Sequence, residues 1–185
     1  MHRPIDLGAA EIAARDLLFA LGADLDDESL SQTPRRVAAA FAELLTPIEF
    51  EATTFPNDEG YDELVIARSI PFHSLCEHHL LPFQGVAHVA YLPGERIIGL
   101  SKLARVVEMF SRRLQVQERL TVQIARWLEE QLQPRGVGVV MEAEHLCMSL
   151  RGVRKPGATT VTSALYGLVR EDVRTREEFL SLTQR

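Results

Sequence analysis

Apolar side chains with a helical period open the sequence. They form one stripe over residues 7–21, which ends at Gly22, a common helix terminator. A second helix is predicted to start at Thr33, and a loop rich in Glu, Asp, Pro and Gly follows over residues 51–62. Two helices of this size cannot bury an independent core, so residues 1–60 are interpreted as an N-terminal helical extension of the domain that follows.

The rest of the chain changes between strand and helix patterns. Stretches rich in β-branched and other apolar residues predict strands at residues 64–75, 84–92, 137–151 and 159–165. Helical spacing predicts two helices, one opening near Ser101 and one over residues 116–132, and the charged tail over residues 170–179 predicts a solvated helix. This order is typical of an α+β fold, with an antiparallel four-stranded sheet and two helices packed on it, as one structural unit over residues 61–185.

The strand pattern at residues 145–151 alternates strictly. Its apolar positions are Leu146, Met148 and Leu150, and the positions between them are His145, Cys147, Ser149 and Arg151. Successive side chains of a strand point to opposite faces, so an imidazole, a thiolate and a guanidinium are predicted to lie in a row on the non-core face.

Composition and charge indicate an ordinary globular protein. Of 185 residues, 46% are hydrophobic and 25% are charged, and the net charge is -6 with a pI near 5.5. An acidic chain argues against a nucleic-acid partner, so an anionic ligand would need a local basic cluster. No apolar signal-peptide core follows Met1 and no run approaches a membrane span, which predicts a cytoplasmic protein without a membrane partner.

The two cysteines of the chain suggest a metal site. Cys76 and His79 are three positions apart, which is the spacing of a zinc half-site, and Cys147 can close a three-ligand cluster. Three protein ligands leave one tetrahedral position for water, whose pKa zinc lowers from about 15.7 to about 7, and this predicts hydrolytic chemistry. A disulfide between the cysteines is the alternative, which the reducing cytoplasm disfavours.

Lys102 and Arg105 form a candidate anion site. They are three residues apart at the start of a predicted helix, where unpaired N–H groups and the helix dipole already favour anions. Two solvated basic residues are the simpler interpretation of such a pair. The dipole opposes cations at this position, however, and a bound phosphate would explain why they are tolerated there.

Five motifs together resemble those of the GTP cyclohydrolase I family. They are Cys76-Glu77-His78-His79, Ile98-Gly99-Leu100-Ser101-Lys102, Gln115-Val116-Gln117-Glu118-Arg119-Leu120, His145-Leu146-Cys147-Met148 and Arg151-Gly152-Val153. Their order and spacing match over about residues 30–180, and such a set is far more specific than a lone Cys-x-x-His pair.

The resemblance implies the reaction, in which GTP and water give formate and 7,8-dihydroneopterin triphosphate. It implies that Cys76, His79 and Cys147 hold Zn²⁺. It also implies that His78 and His145 move protons, one to the imidazole nitrogen of the purine and one during formyl release. Chemistry agrees, because C8 of a neutral guanine is a poor electrophile that needs an activated water and a proton on the ring.

The remaining implied roles concern the substrate. Gln117 and Glu118 would read the guanine edge, since a carboxylate can accept from both N1–H and the exocyclic amine. Glu118 could also be a favourable acidic residue in a first helical turn. Ser101 would lie at the ribose. The triphosphate would be clamped by Lys102, Arg105 and Arg151.

The resemblance further implies the tunnelling fold and a toroidal homodecamer of two pentamers, with active sites at subunit interfaces. Closing a ring would pair the free edges of each subunit's sheet. Two alternatives stay open from the sequence. One is another tunnelling-fold enzyme that acts on a pterin or a deazapurine, and the other is a binding or structural protein whose zinc or disulfide only joins loops.

Overall fold

The computed structural model describes residues 4–184 and divides into two compact units, with the boundary between Thr46 and Pro47. The first unit is a pair of helices, α1 (Leu7–Ala20) and α2 (Thr33–Leu44). Both were predicted from the helical period of their apolar residues. Of α1 only Ala14 is buried.

The second unit is built on a mixed arrangement of strands and helices. Its strands are β1 (Thr54–Pro56), β2 (Val65–Cys76), β3 (Pro82–Leu92), β4 (Arg96–Ile98), β5 (Leu114–Gln115), β6 (Gly136–His145) and β7 (Thr159–Gly167). Its helices are α3 (Ser101–Ser111), α4 (Gln117–Leu132), α5 (Leu146–Ser149), α6 (Leu168–Glu171) and α7 (Val173–Thr183).

The main sheet has the strand order β5-β2-β3-β6-β7. The strands β2, β3, β6 and β7 pair antiparallel with one another in this order, which confirms the predicted antiparallel four-stranded sheet. The fifth strand, β5, is an addition: it runs parallel to the end of β2 through the pairs Leu75–Leu114 and Cys76–Gln115. A two-residue strand carries no alternation, so a sequence pattern cannot reveal it.

Helices cover both faces of the sheet. The apolar stripes of α3 and α4 pack on one face, where Leu103, Ile124 and Phe83 are among the fully buried residues. The other face is covered in part by α6 and α7. Because both faces are covered, β3 is buried without a break over residues 87–92 and β6 over residues 136–141, instead of alternating.

The tail is helical, as its pattern predicts, but the helix is not solvated on all sides. Phe179 of α7 is fully buried, and a Cβ at Gly138 of β6 would lie 2.8 Å from its ring. Full solvation was wrong because Phe179 and the partly buried Leu180 and Leu182 lie between the charged residues and pack on the second face of the sheet. One face of the tail is therefore part of the core, while most of its charged residues stay exposed.

The strand predicted over residues 145–151 is also wrong, since β6 ends at His145 and the chain turns into α5. The N–H of Leu150 donates to the carbonyl of Leu146 (3.0 Å) and closes a helical turn. Leu150 is 68% exposed, so the predicted apolar face is absent. Cys147 therefore lies on a helical turn beyond the strand end.

None of the helices in residues 4–184 combines the length and the apolar character that crossing a bilayer requires.

Candidate metal centre

Strand pairing brings together two motifs that are far apart in the sequence. Cys76 is the last residue of β2, and the carbonyl of Leu81 accepts its N–H (2.9 Å) across the turn that leads into β3. At the start of β3, Phe83 pairs with His145, the last residue of β6. The strand β3 thus places the Cys76 turn beside the turn that carries Cys147.

The β3–β6 ladder near this site is unusually tight at Gly85, which pairs with Ala143. A Cβ at Gly85 would lie 1.9 Å from the carbonyl oxygen of Glu142. No side chain fits at this position without separating the two strands.

The ligand atoms of Cys76, His79 and Cys147 all lie within 4.8 Å of one another. Both cysteines are free thiols. Cys76 Sγ and His79 Nδ1 are 3.9 Å apart, close to the separation of about 3.6 Å that Zn–S and Zn–N bonds of 2.3 and 2.1 Å would give in a tetrahedron. Among residues 4–184, no fourth His, Cys, Asp or Glu joins this cluster. The donors and their spacing fit a zinc ion with three protein ligands.

The electrostatics of the cysteine pair also suit a cation. Burial raises the pKa of the Cys147 thiol, and the neighbouring Cys76 sulfur raises it further, because two adjacent thiolates repel each other. A coordinating thiol is deprotonated, and a cation between the two sulfurs would offset the repulsion between their negative charges. Arg151 acts in the same direction as a cation and lowers the pKa of Cys147.

His78 lies at the rim of the cluster. Its Nδ1 is 3.8 Å from Cys76 Sγ, about as close as that of His79, but the side chain is 63% exposed. Its Nε2 is 3.9 Å from a carboxylate oxygen of Glu77. His78 is therefore adjacent to the cluster and open to a ligand.

His145 is held much more firmly. Its ring stacks on Phe83, with centroids 4.7 Å apart and an interplanar angle of 2°. Its Nε2 lies 2.7 Å from Oε1 of Gln117. Burial lowers the pKa of the His145 imidazole, while the nearby carboxylate of Glu118 opposes this shift.

A cavity of about 230 Å³ opens beside the cluster. The predicted site residues among its lining are Cys76, His78, His79, Gln117, Glu118, His145 and Cys147. Glu118 is exposed at the first turn of α4, whereas Gln117 is only 1% exposed. The structure thus brings together the predicted metal, proton-transfer and guanine-reading residues.

Three predicted substrate residues lie on α3, away from this cavity. Ser101 is exposed at the first position of the helix. Lys102 Nζ lies 5.5 Å above the ring of Phe50. Arg105 lines a separate cavity of about 260 Å³ between β2 and α3. A single chain therefore does not unite these residues with the metal cluster.

Arg151 follows α5 and is exposed. Its guanidinium donates to the carbonyl of Cys147 (3.3 Å). This contact places its positive charge at the edge of the cluster.

The sequence analysis missed the residues that hold the turn after Cys76 by hydrogen bonds and the residue that stacks on His145. Arg119 hydrogen-bonds Glu77, Gln115 and the carbonyl of Leu114. Both Glu77 and Arg119 lie inside the motifs that resemble the family, and this position could have marked them as candidate site residues. Phe83 lies one residue before the strand predicted at 84–92, so its contact with His145 had no signal in the sequence.

The fold and the site define an α+β protein with a candidate Cys-His-Cys metal centre. The sequence model of the GTP cyclohydrolase I family matches residues 10–184. The chain belongs to the GTP cyclohydrolase I family.

Two bacterial relatives match this sequence along nearly the whole chain. GTP cyclohydrolase 1 of Mycobacteroides abscessus is 54% identical over 97% of this chain and 91% of its own. That of Aquifex aeolicus is 53% identical over 97% of this chain and 98% of its own. Among solved structures, an archaeosine synthase QueF-like protein in the apo form is 18% identical, covers 56% of this chain and 93% of its own, and gives a TM-score of 0.45. That likeness is too distant to bear on the assignment.

Proposed function

We propose that this protein is a zinc-dependent GTP cyclohydrolase I, which converts GTP and water into formate and 7,8-dihydroneopterin triphosphate. The observation that carries the proposal is the convergence of Cys76, His79 and Cys147 beside His78 and His145, in a chain of this family. We place the reaction in the cytoplasm, where thiols stay reduced, and its product in folate or pterin biosynthesis.

Cys76, His79 and Cys147 hold the zinc ion in this proposal. Thiolate and imidazole donors are those that zinc favours, and three protein ligands are typical of a catalytic site. Zinc bound there supplies Lewis acidity, which makes water a competent nucleophile at neutral pH.

His78 and His145 carry protons. Attack at C8 of the guanine needs a proton on the imidazole ring of the purine, and release of formate needs a second transfer. His78 is exposed beside the cluster and is suited to exchange protons with substrate and solvent. His145 is fixed by Phe83 and Gln117 and is suited to a transfer that needs a set geometry.

Glu118 binds the guanine base. Its carboxylate lies in the cavity lining and can accept from N1–H and from the exocyclic amine together, a pattern that adenine does not offer. This carboxylate therefore selects GTP over ATP.

The triphosphate is bound by Lys102, Arg105 and Arg151, and Ser101 acts at the ribose. The cavity beside the cluster is smaller than the about 300–1,000 Å³ of typical ligand pockets. Since the residues of α3 lie elsewhere on the chain, we propose that a neighbouring subunit supplies them.

The assembly we propose is a homodecamer of two pentamers with shared active sites. Within residues 47–184, β7 is the end strand of the main sheet, and β5 covers only two residues of β2 at the other edge. Strand pairing between subunits would satisfy both edges. A mass measured in solution that corresponds to a monomer would refute the assembly.

The direct test is turnover of GTP by the zinc-loaded protein, with formate and the pterin chromophore followed together and ATP as the control substrate. Cys147→Ala should lose bound zinc and activity together. No formate from zinc-loaded wild type would remove the proposed function, and an active Cys147→Ala variant would remove the ligand assignment.

A further inference from the structure

We infer that Gln117 is a positioning residue for His145, whose ring it fixes in the tautomer with the proton on Nε2, and not a reader of the guanine edge. The inference deepens the proposed function, because it rests on His145 as a proton carrier. It is carried by the hydrogen-bond partners of one buried side chain.

The orientation of the Gln117 amide follows from its neighbours. One end lies 3.1 Å from the carbonyl oxygen of Met141 and 2.9 Å from that of Thr160. Carbonyl oxygens only accept hydrogen bonds, so this end must be the NH₂ group. The other end, facing His145, is therefore the oxygen.

Two threonine hydroxyls complete the arrangement. Thr121 Oγ1 donates to the main-chain carbonyl of Gln117 (2.7 Å), which uses its only proton. Thr162 Oγ1, 2.7 Å away, must then donate to Thr121 and accept from the Gln117 amide at 3.1 Å. Both amide protons of Gln117 are thus occupied inside the protein, and a side chain that is 1% exposed has none left for a ligand.

The consequence falls on His145. An amide oxygen can only accept, so the 2.7 Å contact requires a proton on His145 Nε2. In the neutral ring, Nδ1 then carries the lone pair and is the atom that exchanges a proton with the substrate. The hydrogen bond to Gln117 persists when the ring is protonated, because both nitrogens are then donors. Stacking on Phe83 fixes the plane of the ring at the same time.

Steady-state kinetics can distinguish a Gln117 that positions His145 from a Gln117 that binds the guanine base. Gln117→Met keeps the size of the side chain and removes the amide. We expect kcat to fall about 10- to 100-fold, part of the about 10²–10⁴-fold that a positioned acid–base group contributes, with KM for GTP changed less than about threefold. Glu118→Gln, the neighbouring change at the proposed guanine reader, should raise KM for GTP instead. A Gln117→Met variant with a raised KM and an unchanged kcat would overturn the inference.

A milder variant tests the same network in case Gln117→Met does not fold. Thr162→Val keeps the Gln117 amide and removes one of its three acceptors, so we expect a smaller fall in kcat with the same KM. Ser163→Ala, at an exposed position on the same strand, is the control and should retain the wild-type constants. A Thr162→Val enzyme with wild-type kcat would contradict the role of this network.

The tautomer itself can be measured on the zinc-loaded wild-type protein. Neutron diffraction from crystals exchanged into D₂O should show deuterium on Nε2 of His145 and two deuterons on the Gln117 nitrogen that faces Met141 and Thr160. Deuterium on Nδ1 alone would overturn the inference. This result does not depend on turnover, so a protein that fails to open GTP would remove the proposed function and leave the tautomer assignment standing.

Discussion

Arg119 donates a hydrogen bond of 2.5 Å to the carboxylate of Glu77, which lies 42 positions earlier, next to Cys76. The same guanidinium donates to the side-chain oxygen of Gln115 (3.0 Å), and the carbonyl of Gln115 accepts the N–H of Glu77 (3.0 Å). The turn with two proposed zinc ligands is thereby tied to the first turn of α4. Partners behind a metal site orient its ligands in this way.

Arg119→Ala should therefore weaken zinc binding without touching a ligand. We expect metal affinity to fall about tenfold, the lower end of the 10- to 100-fold typical of such partners. Competition with a chromogenic chelator measures it, and Arg126→Ala, an exposed position two turns along α4, is the control. Glu77→Gln should give a similar loss, and the double variant should lose no more than either alone. Full additivity would show that the two side chains act separately.

His78 and His79 should have opposite phenotypes. Cys76 Sγ is 3.8 Å from one imidazole and 3.9 Å from the other, but only His79 also lies near Cys147. His79→Ala should lose zinc and activity, whereas His78→Ala should keep zinc and lose ring opening. Metal analysis of the purified variants beside the formate assay decides this. If His78→Ala lost zinc and His79→Ala kept it, His78 would be the zinc ligand and His79 the proton carrier.

Phe179→Ala should destabilise the fold strongly. The ring is fully buried against Gly138, so its removal leaves a cavity and should cost about 3–5 kcal/mol in the free energy of unfolding. Denaturant unfolding at one fixed protein concentration measures this. Phe55→Ala, at a ring that is 50% exposed, should change stability by less than about 1 kcal/mol. Equal effects of the two changes would contradict the burial of α7.

Asp172 should give a pH-dependent contribution to stability. Its carboxylate accepts from the N–H of Thr175 (2.8 Å), and this bond, with a second from the Thr175 hydroxyl, holds the pKa of Asp172 below its ordinary value of 3.8. A lowered folded-state pKa means that the stabilisation is complete above pH 3.8 and is lost as the pH falls through the lower value.

The change Asp172→Ala should therefore lower Tm at neutral pH, and the difference from wild type should close in acid below pH 3.8. Thermal unfolding followed over a pH series measures the difference. Glu178→Ala, at an exposed position on the same helix, should show no such closing gap. A constant difference at all pH values would show that the capping bond is not its source.

The long elements and the candidate ligands of the Cys76, His79 and Cys147 cluster were predictable because each depends on information that is local in the sequence. Strands such as β3 and helices such as α4 are long enough for their period to be read, and two cysteines in one chain leave few choices of ligand. The four residues of α5 are too few to show a period. Their helical turn is closed by Leu150 and by the hydroxyl of Ser149, which donates to Glu144 (2.5 Å).

The positioning role that we infer for Gln117 could not be predicted for a different reason. Its partners Thr160 and Thr162 are 43 and 45 positions away, and only the pairing of β6 with β7 brings them beneath α4. An amide beside an acid in a recognised motif suggests a ligand contact. Our inference of a positioning role rests on burial and on the direction of the hydrogen bonds, and neither is visible in a sequence.

The tight strand pairing at Gly85 means that tolerance to mutation cannot be judged by distance from the proposed metal site. A single methyl group at this position would force β3 and β6 apart. That separation would also move the turn that carries Cys76 away from the turn that carries Cys147. A library of random variants, selected in cells that depend on this enzyme for their pterins, should leave residue 85 as invariant as the two cysteines, although residue 85 is not one of the proposed zinc ligands.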